Sequence, residues 1–407
     1  MQSVFKGWVE SVIDVGNIKF FMIRSRSGLT QVTAKKSDVP EEVFKMISDL
    51  SKEDCVEVHG HLVESKIAKI GKELIPERIV VLAKAEKPLP LDIQVGGEKD
   101  TRLDYRFMDL RDPKVQRIFI IKHKIMGLAH EYFRNNGFTE VQTPVIQAAG
   151  AEGGSSLFEI KYYGKKAFLR QSPQLYKQIL MASGLDKVYE IGQAFRAEKF
   201  HTHRHVCEFI SLDYELAWID SEEDVMKVLE NLMVHVLKGI KSSLEVKIPE
   251  LPFKRMTYDE VLKILGKEGN ELKWGDDLSD LQEKKLGEIL AKKGIEWYFI
   301  TKYPSKLKQF YIMYYGDYSR GIDLDYKGME MASGGQREHR HDELSKVMSE
   351  KGLDLKNFKF YLDAFKYGMP PHGGIGFGVE RLIEQLLGTG DIKETILFPR
   401  TPERFLP

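Results

Sequence analysis

The chain has little cysteine, no long apolar run and no excess of either charge. Its only cysteines, Cys55 and Cys207, lie far apart and form no CxxC pair. This favours a reducing compartment over a disulfide-rich secreted scaffold. No run approaches the roughly 18 apolar residues of a membrane span, and no signal peptide is evident. We therefore expect a soluble, cytoplasmic protein with no membrane partner.

The charges balance, and the sequence has no repeats. Lys plus Arg and Asp plus Glu both number 61 in 407 residues. Bulk charge therefore gives no sign of nucleic-acid binding, and any RNA-binding surface must be local. The absence of a low-complexity tract or internal repeat excludes repeat architectures. The length suggests two or three domains.

The N-terminal segment has the pattern of a small barrel. Residues 56–63 alternate between apolar and polar side chains, as in a half-buried strand. Three more stretches have strand composition: 19–24, 29–34 and 79–82. Together with a predicted helix at 41–50, they suit an OB-fold, although propensity alone does not select it. We predict this domain over residues 1–86, and a linker rich in Pro and Gly over residues 87–112.

Helical spacing of apolar residues begins after the linker. Between Ile118 and Tyr132 they recur three and four positions apart, which predicts a helix that ends at Gly137. Residues 140–146 then predict a strand. Strands and helices alternate to the C-terminus, with three amphipathic helical stretches in residues 220–300. We predict a second domain over residues 113–407.

Two short segments carry polar residues at spacings that could form a site. In QSPQLYKQ, Gln174 and Lys177 are three apart, so a helix places them on one face, although a solvated helix face explains that spacing equally well. The other segment holds Glu330, Ser333 and Arg337 around a Gly-Gly pair, where we expect a strand to stop and allow a ligand close to the backbone. Strict alternation places Glu330 and Ser333 on opposite faces, so joint action requires a bend between them.

Residues 192–218 give a more specific signal. Arg196 and Glu198 share one strand face, and a polar loop follows at 199–205. The next strand presents three residues of interest on one face: Phe209, Asp213 and Glu215. Buried charges are unfavourable unless paired or liganded, so this hairpin predicts a ligand site. A purely structural, salt-bridged hairpin is the alternative.

Two further patterns argue against common cofactor sites. Residues 370–388 predict a Gly-rich turn followed by a helix that carries Arg381 near its start, which permits close approach to a phosphate. A dinucleotide fingerprint is excluded, since it needs a third glycine and a preceding strand. Six histidines could suggest a transition metal: His201, His203, His205, His339, His341 and His372. No cysteine or carboxylate completes a tetrahedral set with them, so we expect none.

In their order along the chain, these segments resemble the class II aminoacyl-tRNA synthetases. Three stretches are similar to the three motifs of that class: 118–146, 195–205 and 376–381. Other pieces resemble archaeal and eukaryotic aspartyl-tRNA synthetases: 151–158, 171–192, 333–342 and 396–400. The resemblance implies an α+β protein with an N-terminal OB-fold barrel and a catalytic domain built on an antiparallel sheet flanked by helices. It also implies a homodimer formed through motif 1.

The resemblance implies a two-step reaction. L-Aspartate and ATP form aspartyl-adenylate and pyrophosphate, and the aspartyl group then passes to the 3' end of tRNA(Asp). The implied catalytic residues are Arg196, on the α-phosphate and amino-acid carboxylate, and Arg381, on the γ-phosphate; a planar fork of donors suits such anions. Six more positions are implied to contact ATP: Glu198, Arg204, His205, Phe209, Glu330 and Gly378. Mg²⁺ is implied at Glu330 and Ser333, which offer oxygen ligands.

The resemblance also implies an aspartate pocket with two cations. Lys177 and Arg337 would clamp the side-chain carboxylate, and Asp213 and Glu152 would bind the ammonium group. Two further residues are implied beside the amino acid: Gln174 and Ser333. Asparagine is nearly isosteric with aspartate, so we expect selection to rest on the two positive charges, which favour a carboxylate over a neutral amide.

The barrel is expected to bind the anticodon. Phe20 would stack on a base, and Gln31 and Glu86 would contact base edges. Relatives that are strict for tRNA(Asp) tend to carry Trp near the position of Glu10, so Glu10 departs from them. Lys69, in contrast, matches those relatives. An enzyme that also charges tRNA(Asn) is therefore the first alternative.

Three further hypotheses stay open at this point. One is an asparaginyl enzyme, against which Lys177 argues. The second is an asparagine-synthesising paralogue, which usually lacks the barrel. The third is a catalytically silent RNA-binding or scaffold protein, against which the retained Arg196, Glu330 and Arg381 argue.

Overall fold

The chain divides into two compact units, Met1–Gly97 and Glu98–Pro407. The computed structural model describes residues 2–66, 68, 71–150, 157–197 and 204–407. The second unit begins within the segment predicted as a linker. No helix in the described ranges has both the length and the apolar composition required to cross a membrane.

Five strands of the first unit close into a barrel. They are β1 (Gln2–Asp14), β2 (Ile18–Ser25), β3 (Gly28–Lys35), β4 (Cys55–Glu64) and β5 (Lys72–Ala83), with helix α1 (Glu41–Ser48) between β3 and β4. Their order around the barrel is β1-β2-β3-β5-β4. Alternate residues such as Phe21 and Ile23 on β2 and Val56 and Val58 on β4 are buried inside it, which confirms the predicted barrel.

The second unit is built on an eight-stranded sheet. The strands of this unit are β6 (Thr139–Glu140), β7 (Ile146–Gln147), β8 (Glu159–Tyr162), β9 (Lys165–Leu169), β10 (Lys187–Phe195), β11 (Glu208–Ala217), β12 (Lys254–Thr257), β13 (Trp297–Thr301), β14 (Tyr314–Tyr315), β15 (Tyr318–Ser319), β16 (Gly321–Tyr326), β17 (Glu330–Gln336) and β18 (His372–Gly378). The sheet order is β12-β13-β16-β17-β18-β11-β10-β6. Central neighbours are antiparallel as predicted, and the pair at each edge is parallel.

Helices flank this sheet. They are α2 (Lys99–Asp104), α3 (Arg106–Asp109), α4 (Pro113–Asn135), α5 (Gln174–Met181), α6 (Glu222–Ile240), α7 (Tyr258–Gly266), α8 (Asp280–Ala291), α9 (His341–Glu350), α10 (Lys359–Lys366) and α11 (Val379–Leu387). The helix predicted before Gly137 is α4, and the three predicted in 220–300 are α6, α7 and α8. Phe133 of α4 and Leu229 of α6 pack into one core with Leu212 and Ile375 of the sheet.

Three local predictions are wrong. The strand expected at 140–146 is reduced to the ends of β6 and β7, because Pro144 lacks the N–H that a strand ladder needs. The Gly-rich segment before α11 is the central strand β18, not a turn, and β17 continues through Ser333-Gly334-Gly335 instead of stopping there. Glycine has low strand propensity, so the sequence hid both strands.

Close packing explains why glycines occupy these central strands. A Cβ on Gly334 would lie 2.1 Å from the Gly374 carbonyl oxygen, and a Cβ on Gly374 would lie 2.2 Å from Glu215 Oε2. Both distances are far shorter than van der Waals contact. The glycines therefore make room for neighbouring backbone and for a buried carboxylate.

Candidate active site

A cavity of about 260 Å³ opens over strands β11, β17 and β18. Eleven residues predicted from the sequence line it: Gln174, Arg196, Arg204, His205, Phe209, Asp213, Glu330, Ser333, Arg337, Gly378 and Arg381. Lys177 lies directly behind Asp213, within hydrogen-bond distance of it. Glu152 and Glu198 fall outside the described residues. The structure thus brings these eleven predicted residues together around a single cavity.

A β-bulge places Glu330 and Ser333 on the same side of β17. Asp325 pairs with Glu330 and Leu324 with Ala332, so Met331 is an extra residue on β17. Such a bulge shifts the alternation by one position. Both side chains therefore line the cavity, and the bend that their joint action required is present.

Four charged groups form a buried cluster at the cavity wall. Lys177 Nζ lies 2.9 Å from Asp213 Oδ1 and 3.4 Å from Glu215 Oε2, and it donates to the Ile375 carbonyl oxygen at 2.7 Å. Arg337 meets the same Glu215 carboxylate with Nε at 2.8 Å and Nη2 at 3.2 Å. The two predicted cations therefore converge on one carboxylate, and Lys177 also binds the carboxylate predicted to hold the substrate ammonium group.

Glu215 is the residue of this cluster whose role the sequence did not reveal. Its side chain is fully buried. Burial raises its pKa, but the charges of Arg337 and Lys177 outweigh that effect and hold the pKa below its usual range. Glu215 is therefore ionised at neutral pH. Its place on the same strand face as Asp213 was the available signal.

A chain of hydrogen bonds continues from Arg337 away from the cavity. Arg337 Nη2 lies 3.4 Å from Gln174 Oε1, and Gln174 Nε2 donates to Gln178 Oε1 at 2.9 Å. The Gln178 amide nitrogen lies 2.9 Å from His372 Nε2, while His372 Nδ1 lies 2.8 Å from the Pro370 carbonyl oxygen. Burial lowers the pKa of His372 to about 4, so the ring is neutral and serves as a hydrogen-bond partner here. This chain fixes the orientation of the Gln174 amide that faces the cavity.

The other side of the cavity carries arginines next to an aromatic ring. The guanidinium carbon of Arg196 lies 5.4 Å from the centre of the Phe209 ring. Arg381 Nη1 contacts Glu330 twice, at 3.0 Å from its carbonyl oxygen and 3.2 Å from Oε1. A flat ring with planar cations around it suits a nucleotide base and its phosphates.

Acidic groups crowd behind Arg381. Burial and then Asp323 raise the pKa of Glu330, while burial and then Glu330 raise the pKa of Glu283 to about 8. The pKa of Asp325 is likewise raised, mainly by burial. Within the described ranges no group of three or more His, Cys, Asp or Glu is arranged to hold a metal ion by itself. Neighbouring acids of this kind favour a positive charge beside them, and Arg381 and Arg196 act on Glu330 in that sense.

Models of known protein families match most of the chain. A family model for class II tRNA synthetases (D, K and N) matches residues 98–402, and a model for the OB-fold nucleic acid binding domain matches residues 4–82. The chain belongs to the class II tRNA synthetases. As members of this family use ATP, so does this synthetase.

Individual relatives show which synthetases of this class the chain is similar to. The synthetase is 50% identical to an aspartate–tRNA(Asp) ligase of Pyrococcus abyssi, over 98% of this chain and 95% of the relative. It is 46% identical to an aspartate–tRNA(Asp/Asn) ligase of Methanopyrus kandleri, with the same coverage. Among solved structures, asparaginyl-tRNA synthetase of Pyrococcus horikoshii with asparaginyl-adenylate matches with a TM-score of 0.94 at 33% identity, covering 100% of this chain and 96% of that one. The fold alone therefore does not separate aspartate from asparagine.

The barrel of the synthetase carries the residues predicted to contact RNA. Phe20 is half-buried on β2, and Met22, on the same strand face, pairs with Gln31 on β3. Glu86 follows β5 and is exposed. Arg24, also on β2, is buried, 2.7 Å from Glu53 and 3.3 Å from Glu10. Lys69 lies outside the described residues.

Proposed function

We propose that this synthetase is an aspartate–tRNA ligase, which forms aspartyl-adenylate from L-aspartate and ATP and transfers the aspartyl group to tRNA(Asp). The convergence of Lys177 and Arg337 on Glu215 at the cavity wall carries this proposal. The two curated relatives described above, both aspartate–tRNA ligases, support it.

Charge matching explains the choice of aspartate. Lys177 and Arg337 carry two positive charges, and the ionised Glu215 cancels one of them. Asp213 also pairs with Lys177, at 2.9 Å. Once the substrate ammonium group engages Asp213, one positive charge remains for the side-chain carboxylate of the substrate. An asparagine amide would leave that charge uncompensated in a buried place, which is strongly unfavourable.

Arg196 and Arg381 are proposed to stabilise the negative charge of the nucleotide. Nucleotidyl transfer needs positioning and charge stabilisation more than a protein nucleophile. Arg196 would bridge the amino-acid carboxylate and the α-phosphate, with adenine beside Phe209. Arg381 would bind the γ-phosphate, and Arg204 and His205 would contact the triphosphate from the loop that precedes β11.

Glu330 and Ser333 are proposed to hold Mg²⁺ beside the phosphates. Their oxygen atoms are the ligands that Mg²⁺ requires, and this ion is typically bound by one or two carboxylates together with substrate phosphates. The raised pKa of Glu330 among neighbouring acids supports a cation here. When bound, the ion would neutralise charge on the phosphate oxygens.

Replacing Phe20 by Ala tests the proposed anticodon contact in the barrel. Loss of one stacked base is expected to raise the KM for tRNA about tenfold. Aspartate-dependent pyrophosphate exchange, which needs no tRNA, should stay at the wild-type rate. Val4→Ala, a change at an exposed barrel residue, is the control. An unchanged KM for tRNA in the Phe20 variant would exclude the stacking role.

We also propose that the synthetase is a homodimer formed through the segment similar to motif 1. Ile120 on α4, within that segment, is 51% exposed, and Phe107 on the preceding helix α3 is 60% exposed. A partner surface would cover such apolar side chains. Analytical ultracentrifugation at micromolar concentration would show a species of twice the chain mass; a monomer at all concentrations would contradict the proposal.

Two assays test the proposed function as a whole. Pyrophosphate exchange should depend on aspartate, and charging of purified tRNA(Asp) should follow. Equal charging of purified tRNA(Asn) would instead favour the alternative enzyme that serves both tRNAs. Absence of exchange with any amino acid would point to a silent RNA-binding protein.

A further inference from the structure

Helix α8 brings an acidic side chain to an arginine of the ATP pocket. Glu283 Oε2 lies 3.0 Å from Arg204 Nη1, and Asp280 Oδ1 lies 3.4 Å from the same nitrogen. Arg204 lines the cavity and is only 8% exposed. The sequence predicted α8 only as one of three amphipathic helical stretches in residues 220–300. Its first turns, however, reach the proposed nucleotide contacts.

Backbone packing fixes the position of α8. A Cβ on Gly287 would lie 2.4 Å from the Gly328 nitrogen, and a Cβ on Gly328 would lie 2.7 Å from the Glu283 carbonyl oxygen. The helix therefore lies with its backbone directly against the turn between β16 and β17. The second of these strands carries Glu330, so this close backbone contact places Glu283 near Glu330.

Glu283 lies within hydrogen-bond distance of Arg204 Nη1 although burial and Glu330 raise the pKa of its carboxyl group to about 8. Burial and the nearby Glu330 both disfavour a negative charge on Glu283, and Arg204 is the largest opposing influence. A nearby acid disfavours the charged form of a carboxyl group, and a nearby cation favours it. Arg204 in turn gains a fixed hydrogen-bond acceptor, which restricts a long side chain that would otherwise sample many rotamers.

We propose that Glu283 is a positioning residue for ATP, which holds the Arg204 guanidinium in the cavity wall where the triphosphate binds. The proposal rests on the proposed function, because it takes Arg204 as a phosphate contact. Prior fixation of the arginine lowers the entropy lost when ATP binds. Glu283 would therefore affect the KM for ATP and leave the aspartate pocket, built by other elements, unchanged.

Glu283→Met tests this role, since Met keeps the volume but removes the acceptor. We expect the KM for ATP in pyrophosphate exchange to rise about tenfold, as for loss of a hydrogen bond to a charged group. The kcat and the KM for aspartate should stay within about twofold of wild type. Glu283→Gln keeps an acceptor oxygen and should restore most of the ATP affinity. Glu288→Ala, an exposed glutamate of the same helix, is the control.

A double-mutant cycle with Arg204→Ala separates positioning from a general structural effect. If Glu283 acts through Arg204, Glu283→Met has no further effect on the KM for ATP in the Arg204→Ala background. Independent effects that multiply would overturn the proposal, as would an equal rise in the KM for aspartate. Thermal unfolding of each variant is followed in parallel, and Glu283→Ala carries the same expectation should the Met variant not fold.

The outcomes also separate this proposal from the proposed function. An unchanged KM for ATP in Arg204→Ala would overturn the phosphate contact and the role of Glu283 with it, while aspartate-dependent exchange by the wild type would still support the ligase. Absence of that exchange in the wild type would overturn both.

Discussion

Lys177→Met is expected to reduce aspartate-dependent pyrophosphate exchange by about 10³-fold or more, because a pocket built for a charged group discriminates strongly once its polar partner is lost. Lys177 contacts Asp213 and Glu215 together. Its removal leaves these two buried carboxylates with less positive charge beside them. Their negative charge would then repel the side-chain carboxylate of the substrate. ATP binding, measured by calorimetry, should remain near the wild-type value.

Stability must be measured in the same variant. Removing one partner of a buried ion pair destabilises a protein by about 3–5 kcal/mol, so the urea midpoint of Lys177→Met should fall. Lys19→Met is a matched control, since Lys19 is also buried and donates to the Phe44 carbonyl oxygen, at 3.1 Å, within the barrel. That control should keep full exchange activity. Exchange near the wild-type rate in Lys177→Met would exclude the cation as a substrate contact.

Arg196→Ala is expected to lower the kcat of exchange by about 10³-fold, the loss that follows removal of one group that stabilises charge in a transition state. Arg196 lines the cavity beside Phe209 and is proposed to bridge the two reacting groups. Arg196→Lys should recover little, because an ammonium group lacks the planar pair of donors. Single-turnover formation of aspartyl-adenylate measures the step directly.

A matched arginine distinguishes this effect from loss of packing. Arg320 also lies over an aromatic ring, 5.3 Å from the centre of Tyr315, and pairs with Glu222 at 2.8 Å. It does not line the cavity. Arg320→Ala should therefore leave exchange near the wild-type rate. A similar loss in both arginine variants would show that the effect of Arg196→Ala comes from the fold and not from the chemistry.

Alternation of apolar residues predicted the barrel because each strand there has one buried face. The pattern at 56–63 corresponds to β4, and 19–24 to β2. Arg24 on β2 is buried because Glu53 and Glu10 pair with it there. Pairing of this kind depends on residues distant in sequence, so a local pattern could not predict it.

The features of the site that the sequence did not predict also depend on contacts between residues that are distant in sequence. The sequence indicated that Glu330 and Ser333 require a bend, but the bulge at Met331 depends on the register with β16. The glycines of β18 concealed a strand, since the reason for them is the Glu215 carboxylate and the neighbouring backbone. Glu283 lies in a charged helix whose contact with Arg204 spans 79 positions of the chain. Eleven residues that line the cavity were therefore predictable from the sequence, and the groups that hold them in place were not.

The most direct test of the charge-matching account is to compare aspartate with asparagine in the same pyrophosphate exchange assay on the wild-type protein. The single positive charge left at Lys177, Arg337 and Glu215 predicts a kcat/KM for aspartate about 10⁴-fold higher than for asparagine. Exchange with asparagine within about tenfold of that with aspartate would contradict it, since no buried charge could then be deciding between two substrates of the same shape.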